Sequence, residues 1–296
     1  MAQRITPTQL LAWAVENRTE EAERPARQPE PIDPKWIEII LGKPDAARMK
    51  DCIEVVKSDA SLGAKLVALD ELEMLVESID NANDLQPLKL WPELLNILLT
   101  SKEPEIRVNV AWVIGTAVQN NDRAQQDFAR AGGLSIILNS LLKDTDSTVR
   151  IKLLYSLSAA IRVCPTNFNE FTENDGFKTI VSVCQDGNEQ LIKRSLFLFD
   201  ALMHEEDENT IQKTNAKMME NAVFDMIVEI LSKHELDLEL VEQCLKLLIS
   251  VAQYSKETLE MWADMLKAQF DHIIAVLAND DVTEVKSLIS QLQKLI

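Results

Sequence analysis

Residues 91–99 (WPELLNILL) return 43 positions later as residues 134–142 (LSIILNSLL): Trp91, Leu94, Leu95, Asn96, Leu98 and Leu99 fall on Leu134, Ile137, Leu138, Asn139, Leu141 and Leu142. The same offset carries Ile106-Arg107 onto Val149-Arg150, Trp112 onto Tyr155, Val118 onto Ile161, Phe128 onto Phe171 and Gly133 onto Gly176. A third copy opens at Phe177, with Ile180 and Val181 on one helix and Ile192, Leu196 and Phe199 on the next. A fourth, less regular copy begins near Phe224 and includes Val241, Leu245, Leu248 and Ile249. Each copy reads as a short apolar helix, a polar turn such as residues 143–147 (KDTDS), and a longer apolar helix. A unit of this size cannot enclose a core alone, so neighbouring copies must stack. The period falls in the range of about 40–47 residues for armadillo and HEAT units and excludes the roughly 34-residue tetratricopeptide repeat. The expected fold is therefore all-α: a right-handed armadillo-like α-solenoid of about four repeats, near 88–132, 133–175, 176–222 and 223–265. Helical caps at 35–87 and 266–296 would shield its ends, making 35–296 one repeat domain.

Composition agrees with stacked helices. Only 7 glycines occur in 296 residues, where an average chain would carry about 20. Glycine-rich phosphate loops, collagen and turn-dense sandwiches recede accordingly. The formal charge is −18, from 30 Lys and Arg against 48 Asp and Glu, which repels a phosphate backbone and makes nucleic acid a poor partner. No apolar run approaches the eighteen or so residues of a membrane span. Cys52, Cys164, Cys184 and Cys244 lie at least twenty residues apart with no CxxC pair, the pattern of reduced core thiols in a cytosolic protein. Residues 1–20 lack an uninterrupted apolar stretch of signal-peptide length. A soluble, cytoplasmic monomer is the expectation.

Prolines crowd one region: Pro25, Pro29, Pro31, Pro34 and Pro44 lie close together, and none follows Pro165. Residues 1–34 are thus expected to form a flexible tail with one short helix and a Pro-rich linker. In Thr6-Pro7-Thr8-Gln9, Thr6 suits the N-cap, Pro7 the first helical position and Gln9 the closing of a capping box. The helix that follows carries Leu10, Leu11, Trp13, Ala14 and Val15, too small an apolar set to fold by itself.

Sites for chemistry are scarce. His234-Glu235 begins like the zinc motif HExxH, but Leu238 stands where the second histidine belongs. His204, Glu205, Glu206 and Asp207 form a cluster that reads better as a solvated inter-helix loop than as a cation or proton-transfer site. No GxxxxGK, GxGxxG or GxSxG occurs. No cofactor, metal or catalytic residue is expected, and a solenoid's usual asset is its concave binding surface. The repeated Trp-x-x-x-Asn ladder of nuclear import adaptors is not kept, because Trp112 is followed by Thr116, Tyr155 by Ala159, and Leu198 by Leu202.

Two stretches stand apart from a generic repeat: residues 79–85 (IDNANDL), leading into 88–91 (LKLW), and residues 114–121 (IGTAVQNN). Together with 10–13 (LLAW), 65–68 (KLVA) and 73–75 (EML), they closely resemble one family. It is the armadillo-type nucleotide exchange factors of heat shock protein 70 chaperones, which comprises the fungal Fes-type factors and the animal heat-shock-70-binding protein. The resemblance covers most of the chain and weakens after about Leu231. It implies a co-chaperone that is not an enzyme. Its solenoid would grip one lobe of the chaperone ATPase domain, exclude the closed arrangement of the other lobe, accelerate ADP release and so promote client release. It further implies chaperone contacts at Asn81, Ala82, Asn83, Trp112, Gln119, Asn120, Tyr155 and Arg194. The tail, through Leu10, Leu11 and Val15, would mimic client at the chaperone's substrate-binding domain.

Read from the residues alone, residues 80–84 are equally a polar helix–helix turn. Gly115 inside a helix costs about 1 kcal/mol relative to Ala, and either close helix packing or close approach of a partner would account for it. Lys193 and Arg194 stand at a helix start, where cations are unfavourable. They answer either an external acidic partner or nearby Glu189 and Asp186. Nineteen acids against eight lysines from residue 200 onward concentrate the negative charge there, which leaves the first three repeats as the expected working surface. A scaffold without exchange activity and an unrecognised hydrolase stand as the other function classes.

Overall fold

The polar turns that punctuate the sequence are helix starts. In the computed structural model, which describes residues 43–278 and 281–296, Asp146 accepts from the backbone N–H of Thr148 and Val149 at 2.8 and 3.1 Å. Asn121, Asn188, Asp207 and Asp237 cap in the same way, each through the N–H three residues on. Such caps satisfy helix donors that have no intrahelical partner. Pro104 and Pro165 occupy first-turn positions, where the missing N–H is harmless.

Sixteen α-helices result among the described residues: α1 (Asp45–Lys57), α2 (Leu62–Val76), α3 (Ile79–Asp84), α4 (Leu90–Thr100), α5 (Pro104–Val118), α6 (Asp122–Arg130), α7 (Gly133–Lys143), α8 (Ser147–Ile161), α9 (Pro165–Glu173), α10 (Gly176–Cys184), α11 (Glu189–Met203), α12 (Glu208–Glu220), α13 (Val223–Leu231), α14 (Leu238–Tyr254), α15 (Ala263–Val276) and α16 (Thr283–Leu295). A single 3₁₀ turn, Glu257–Leu259, precedes α15. The repeat unit is three helices rather than the two suggested by periodicity: α3/α4/α5, α6/α7/α8, α9/α10/α11 and α12/α13/α14. The extra helix is short and carries few apolar residues, as in Asp122–Arg130 (DRAQQDFAR), so its signal is submerged in what looks like a loop. The 3₁₀ turn, α15 and α16 repeat the pattern once more at the C-terminal end. The Leu10, Leu11 and Val15 tail and the first part of the N-terminal cap lie outside the described residues.

Like packs on like. The long helices α2, α5, α8, α11, α14 and α16 contact one another in order; α1, α4, α7 and α10 form a second column, and α6, α9 and α12 a third. This is the α-solenoid architecture, and its core runs continuously from Met49 to Leu292. Large aromatics tie the columns together: Phe177 stacks on Phe199 with centroids 5.5 Å apart, Trp91 meets Phe128 at 5.4 Å and Phe224 meets Trp262 at 5.1 Å. Each such pair contributes about 0.5–1.5 kcal/mol beyond its buried area.

The glycines that mark repeat boundaries are there for contact. A Cβ on Gly133 or Gly176 would drive into the ring of Phe128 or Phe171 on the preceding short helix. Immediately before each middle helix the backbone turns left-handed, at Lys89 (φ 60°), Gly132 (78°), Asp175 (55°) and Ala222 (59°). The four cysteines are free and buried, and among the described residues no helix is long and apolar enough to cross a membrane.

Register between copies is not constant. Helix α8 starts 43 residues after α5, but α11 starts only 42 after α8. The buried and exposed positions of α8 and α11 coincide at that shorter offset. Tyr155 therefore corresponds to Phe197, which is 52% exposed, and not to Leu198, which is fully buried. Reading Leu198 as the third rung, as the 43-residue offset suggests, is incorrect by one residue.

Candidate functional site

The shifted register brings a surface into view on the long-helix column. Trp112 on α5, Tyr155 on α8 and Phe197 on α11 occupy equivalent positions, and Lys152 and Arg194 occupy equivalent positions one helical turn earlier on α8 and α11. Residues three apart share a helix face, so aromatic and cationic rungs lie side by side. Trp112 is 40% exposed. The Lys152 ammonium sits 4.2 Å from the centre of the Trp112 ring and 5.5 Å from that of Tyr155, a cation–π arrangement worth about 0.5–2 kcal/mol.

Tyr155 is held from both ends. Its hydroxyl donates to Gln119 Oε1 at 3.0 Å, and its ring covers Gly115, where a Cβ would collide with it. Close packing thus accounts for the glycine inside the IGTAVQNN stretch. Thr116, one residue on, donates to Glu73 Oε1 on α2 at 2.7 Å, and Ser156 is hydrogen-bonded to the Ala111 carbonyl across the α5–α8 contact. Asn120 follows in the left-handed region (φ 52°) and is exposed, while Asn121 caps α6.

Lys193 and Arg194 part company. Lys193 is ion-paired with Asp237 at 2.6 Å and Glu239 at 2.7 Å. Burial alone would lower its pKa, but hydrogen bonds to the two carboxylates raise it. Asp186, one of the acids considered for it, is engaged by Arg150 instead. Arg194 is exposed and, among the described residues, has no ion-pair partner. Its charge reaches Lys152: burial first, and then Arg194, hold the Lys152 amine below its ordinary pKa against the opposing pull of Glu73.

The other family-like stretch is built inward. On α3, Asn81 Nδ2 donates to the Leu75 carbonyl at 2.9 Å and to Asp45 Oδ2 at 3.1 Å. Ala82 is only 2% exposed, and Asn83 Oδ1 is buried without a hydrogen-bond partner. Helix α3 packs on α2 and α5, so this corner supports the long-helix column from behind. The structure brings Trp112, Gln119 and Tyr155 together, with Arg194 one rung further, and leaves Asn81, Ala82 and Asn83 outside that contact network.

Lys152 and Phe197 were not singled out by sequence reasoning, and Glu73 was noted only within the family-like stretch 73–75. The spacing of Lys152 three residues before Tyr155 was the signal for the first, and the one-residue shortening concealed the second. The His204–Asp207 cluster is structural. Glu205 accepts from Val163 N at 3.2 Å and pairs with Arg162 at 3.6 Å, and Asp207 caps α12. These residues rim a cleft of ≈ 310 Å³ with Ile161, Cys164 and Phe168. Among the described residues no group of His, Cys, Asp and Glu is arranged to hold a metal ion.

Comparison with known proteins gives the family and the fold. The model of the family "Nucleotide exchange factor Fes1" matches residues 8–85, and that of the "SIL1/FES1/HPBP1 C-terminal domain" matches residues 81–294. The Hsp70 nucleotide exchange factor FES1 of Scheffersomyces stipitis is 31% identical over 291 residues, covering 95% of this chain and 99% of that protein. The FES1 of Saccharomyces cerevisiae is 32% identical over 290 residues, covering 94% and 98%. Among solved structures, a designed armadillo repeat protein in complex with the peptide (KR)4 superposes with a TM-score of 0.64 at 17% identity, over 83% of this chain and 98% of that one. A second designed armadillo repeat protein gives 0.62 at 15% identity, over 84% and 100%. These two likenesses establish the armadillo fold alone.

Proposed function

Because the chain belongs to the Fes1-type nucleotide exchange factors of Hsp70 chaperones, we propose that its long-helix face docks on the ATPase domain of a cytoplasmic Hsp70 and forces ADP out. The observation that carries this reading is the row Trp112, Tyr155 and Phe197 with Lys152 and Arg194, a basic aromatic surface on a chain of net charge −18. Exposed aromatics and arginine are the side chains that anchor protein interfaces.

The protein itself makes and breaks no bond. It holds one lobe of the ATPase domain in a position that the closed, ADP-gripping arrangement cannot share. If the factor favours the open, nucleotide-free state by about 100-fold, the coupling is about 2.8 kcal/mol, and nucleotide weakens the factor by the same ratio. Returning ATP then expels it. Contacts are assigned to Trp112, Gln119, Asn120, Tyr155 and Arg194, while Asn81 ties α3 to α1 and α2 through Asp45 and Leu75, and Ala82 and Asn83 pack inward beside it. The factor acts as a monomer, and its tail, through Leu10, Leu11 and Val15, competes with client at the chaperone's substrate-binding domain.

Stopped-flow release of fluorescent ADP from a cytosolic Hsp70 tests the reading. Acceleration that saturates with the concentration of this protein is expected, and an unchanged release rate at saturating concentration overturns it.

A further inference from the structure

The proposed docking face contains two cations that the fold leaves without a counter-ion. Lys152 and Arg194 stand at equivalent positions on adjacent long helices, close enough for the charge of one to act on the other. On α5, α8 and α11 the other basic residues are matched within the chain: Arg107 with Asp144, Arg150 with Asp186, and Lys193 with Asp237 and Glu239. The carboxylate that pulls on Lys152 from α2, Glu73, accepts the Thr116 hydroxyl instead of forming an ion pair with the amine. Acids outnumber bases by 48 to 30 in this chain, so an unmatched neighbouring pair is not a shortage of carboxylates. Two like charges placed together repel, and an anion brought from outside relieves the arrangement.

We infer that Lys152 and Arg194 together form a receptor for a single carboxylate side chain, an Asp or Glu presented by the Hsp70 ATPase domain, with Trp112, Tyr155 and Phe197 as its apolar walls. This inference rests on the docking assignment above. The aromatic rings do two things for it. Stacking on Trp112 and Tyr155 fixes the long Lys152 stem before the partner arrives, which reduces the ordering cost of binding. The walls also exclude water around the ion pair, which strengthens it over an exposed one. Guanidinium and ammonium differ in kind here: Arg194 offers a planar fork to the carboxylate, and Lys152 a point charge positioned by the rings.

The test uses the full chain and the isolated ATPase domain of a cytosolic Hsp70, with affinity measured by titration calorimetry at several salt concentrations. Lys152→Met keeps the stem against Trp112 and removes only the charge; Arg194→Gln removes the other charge; Lys152→Arg restores a cation. Each single charge removal is expected to weaken binding about tenfold and to flatten its salt dependence. The double variant should lose less than the product of the single losses, because both cations address one carboxylate. Lys152→Arg should bind within about twofold of wild type. The inference is overturned if Lys152→Met binds as wild type does, if Lys152→Arg loses as much as Lys152→Met, or if the two losses multiply. Each of these can occur while the wild-type chain still accelerates ADP release. Failure of the wild-type chain to bind or accelerate overturns the docking assignment itself.

Discussion

Arg107 on α5 and Asp144, just before α8, are joined across two repeats by parallel hydrogen bonds, Nε to Oδ2 at 2.6 Å and Nη2 to Oδ1 at 3.0 Å. The same guanidinium closes the end of α4 by donating to the Ser101 and Lys102 carbonyls at 3.0 and 2.9 Å. Arg150 and Asp186 reproduce the arrangement at the next junction, where Arg150 also donates to the Leu141 carbonyl. Stacking in a solenoid relies on nearest-neighbour interfaces, and these pairs join one repeat to the next. With side-chain exposures of 16% and 9%, removal of one partner leaves a poorly solvated charge. Arg107→Ala is therefore expected to cost about 3 kcal/mol, seen as a lower urea midpoint at an unchanged m-value.

The same pair sets an acid sensitivity. Burial pushes the Asp144 carboxyl upward, but the Arg107 hydrogen bond, the Asp146 N–H and the nearby guanidinium charges overcome it and hold the pKa below its ordinary 3.8. A carboxylate depressed in the folded state stabilises the fold above its unfolded pKa and loses that contribution as pH falls through the folded value. Between neutral pH and about pH 4 the contribution is intact. Asp144→Asn should therefore be less stable than wild type at pH 7, and the gap should narrow as the pH is lowered below 3.8. A constant gap from pH 7 to pH 2.5 in thermal unfolding would contradict the assignment.

Gly115 and Tyr155 make the second coupled pair. Because a Cβ at 115 occupies the space of the Tyr155 ring, Gly115→Ala is expected to destabilise by about 1–3 kcal/mol in spite of its better helix propensity. It should also displace Tyr155 from Gln119 and weaken acceleration of ADP release. Adding Tyr155→Ala to Gly115→Ala opens the space again, so the double variant should be more stable than the sum of the two single losses predicts.

The solenoid was legible because burial recurs in every copy: Leu94 and Ile137, Val118 and Ile161, and Phe128 and Phe171 are all core pairs at one spacing. Gly133 and Gly176 were legible for the same reason, since the same close contact with a phenylalanine recurs in both copies. The short first helices were not, because Asp122–Arg130 buries mainly Ala124, Gln125, Asp127 and Phe128, and the polar members of that set give no apolar stripe. Gln125 earns its burial by donating to the Ala159 and Arg162 carbonyls at the end of α8, a contact no local pattern reveals. The docking face was half legible. Trp112 and Tyr155 follow from the repeat alignment, and Arg194 from the resemblance and the charge pattern, whereas Lys152 depends on a cross-repeat contact and Phe197 on a change of one residue in spacing.

Left-handed backbone before the middle helices gives a prediction with the opposite sign. Glycine takes this conformation freely at 132, but the equivalent residue in the fourth repeat is Ala222 at φ 59°. A left-handed non-glycine residue carries about 1–2 kcal/mol of steric cost, partly offset by the extra unfolded-state freedom glycine would bring. Ala222 is exposed, so Ala222→Gly removes no core contact. It should raise stability by up to about 1 kcal/mol with ADP-release acceleration unchanged; a loss of stability in calorimetry would show that the strain is not there.

Phe197 and Leu198 separate the two possible registers of the third repeat. If copies followed a strict 43-residue spacing, Leu198 would share the role of Trp112 and Tyr155, and Phe197 would be incidental. The one-residue shortening before α11 reverses that: Leu198 is fully buried, and Phe197 is 52% exposed on the stripe that carries Arg194. Phe197→Ala should change stability by no more than about 0.5 kcal/mol, as at an ordinary surface position. It should nevertheless raise the concentration needed for half-maximal ADP release by about tenfold, the loss of one interface anchor. Leu198→Ala should cost about 2–5 kcal/mol of stability through the cavity it leaves, while the fraction that remains folded accelerates ADP release as wild type does. Measuring both variants by chemical denaturation and by ADP release places each residue on one side of the helix, and an interchange of the two outcomes would return the ladder to Leu198.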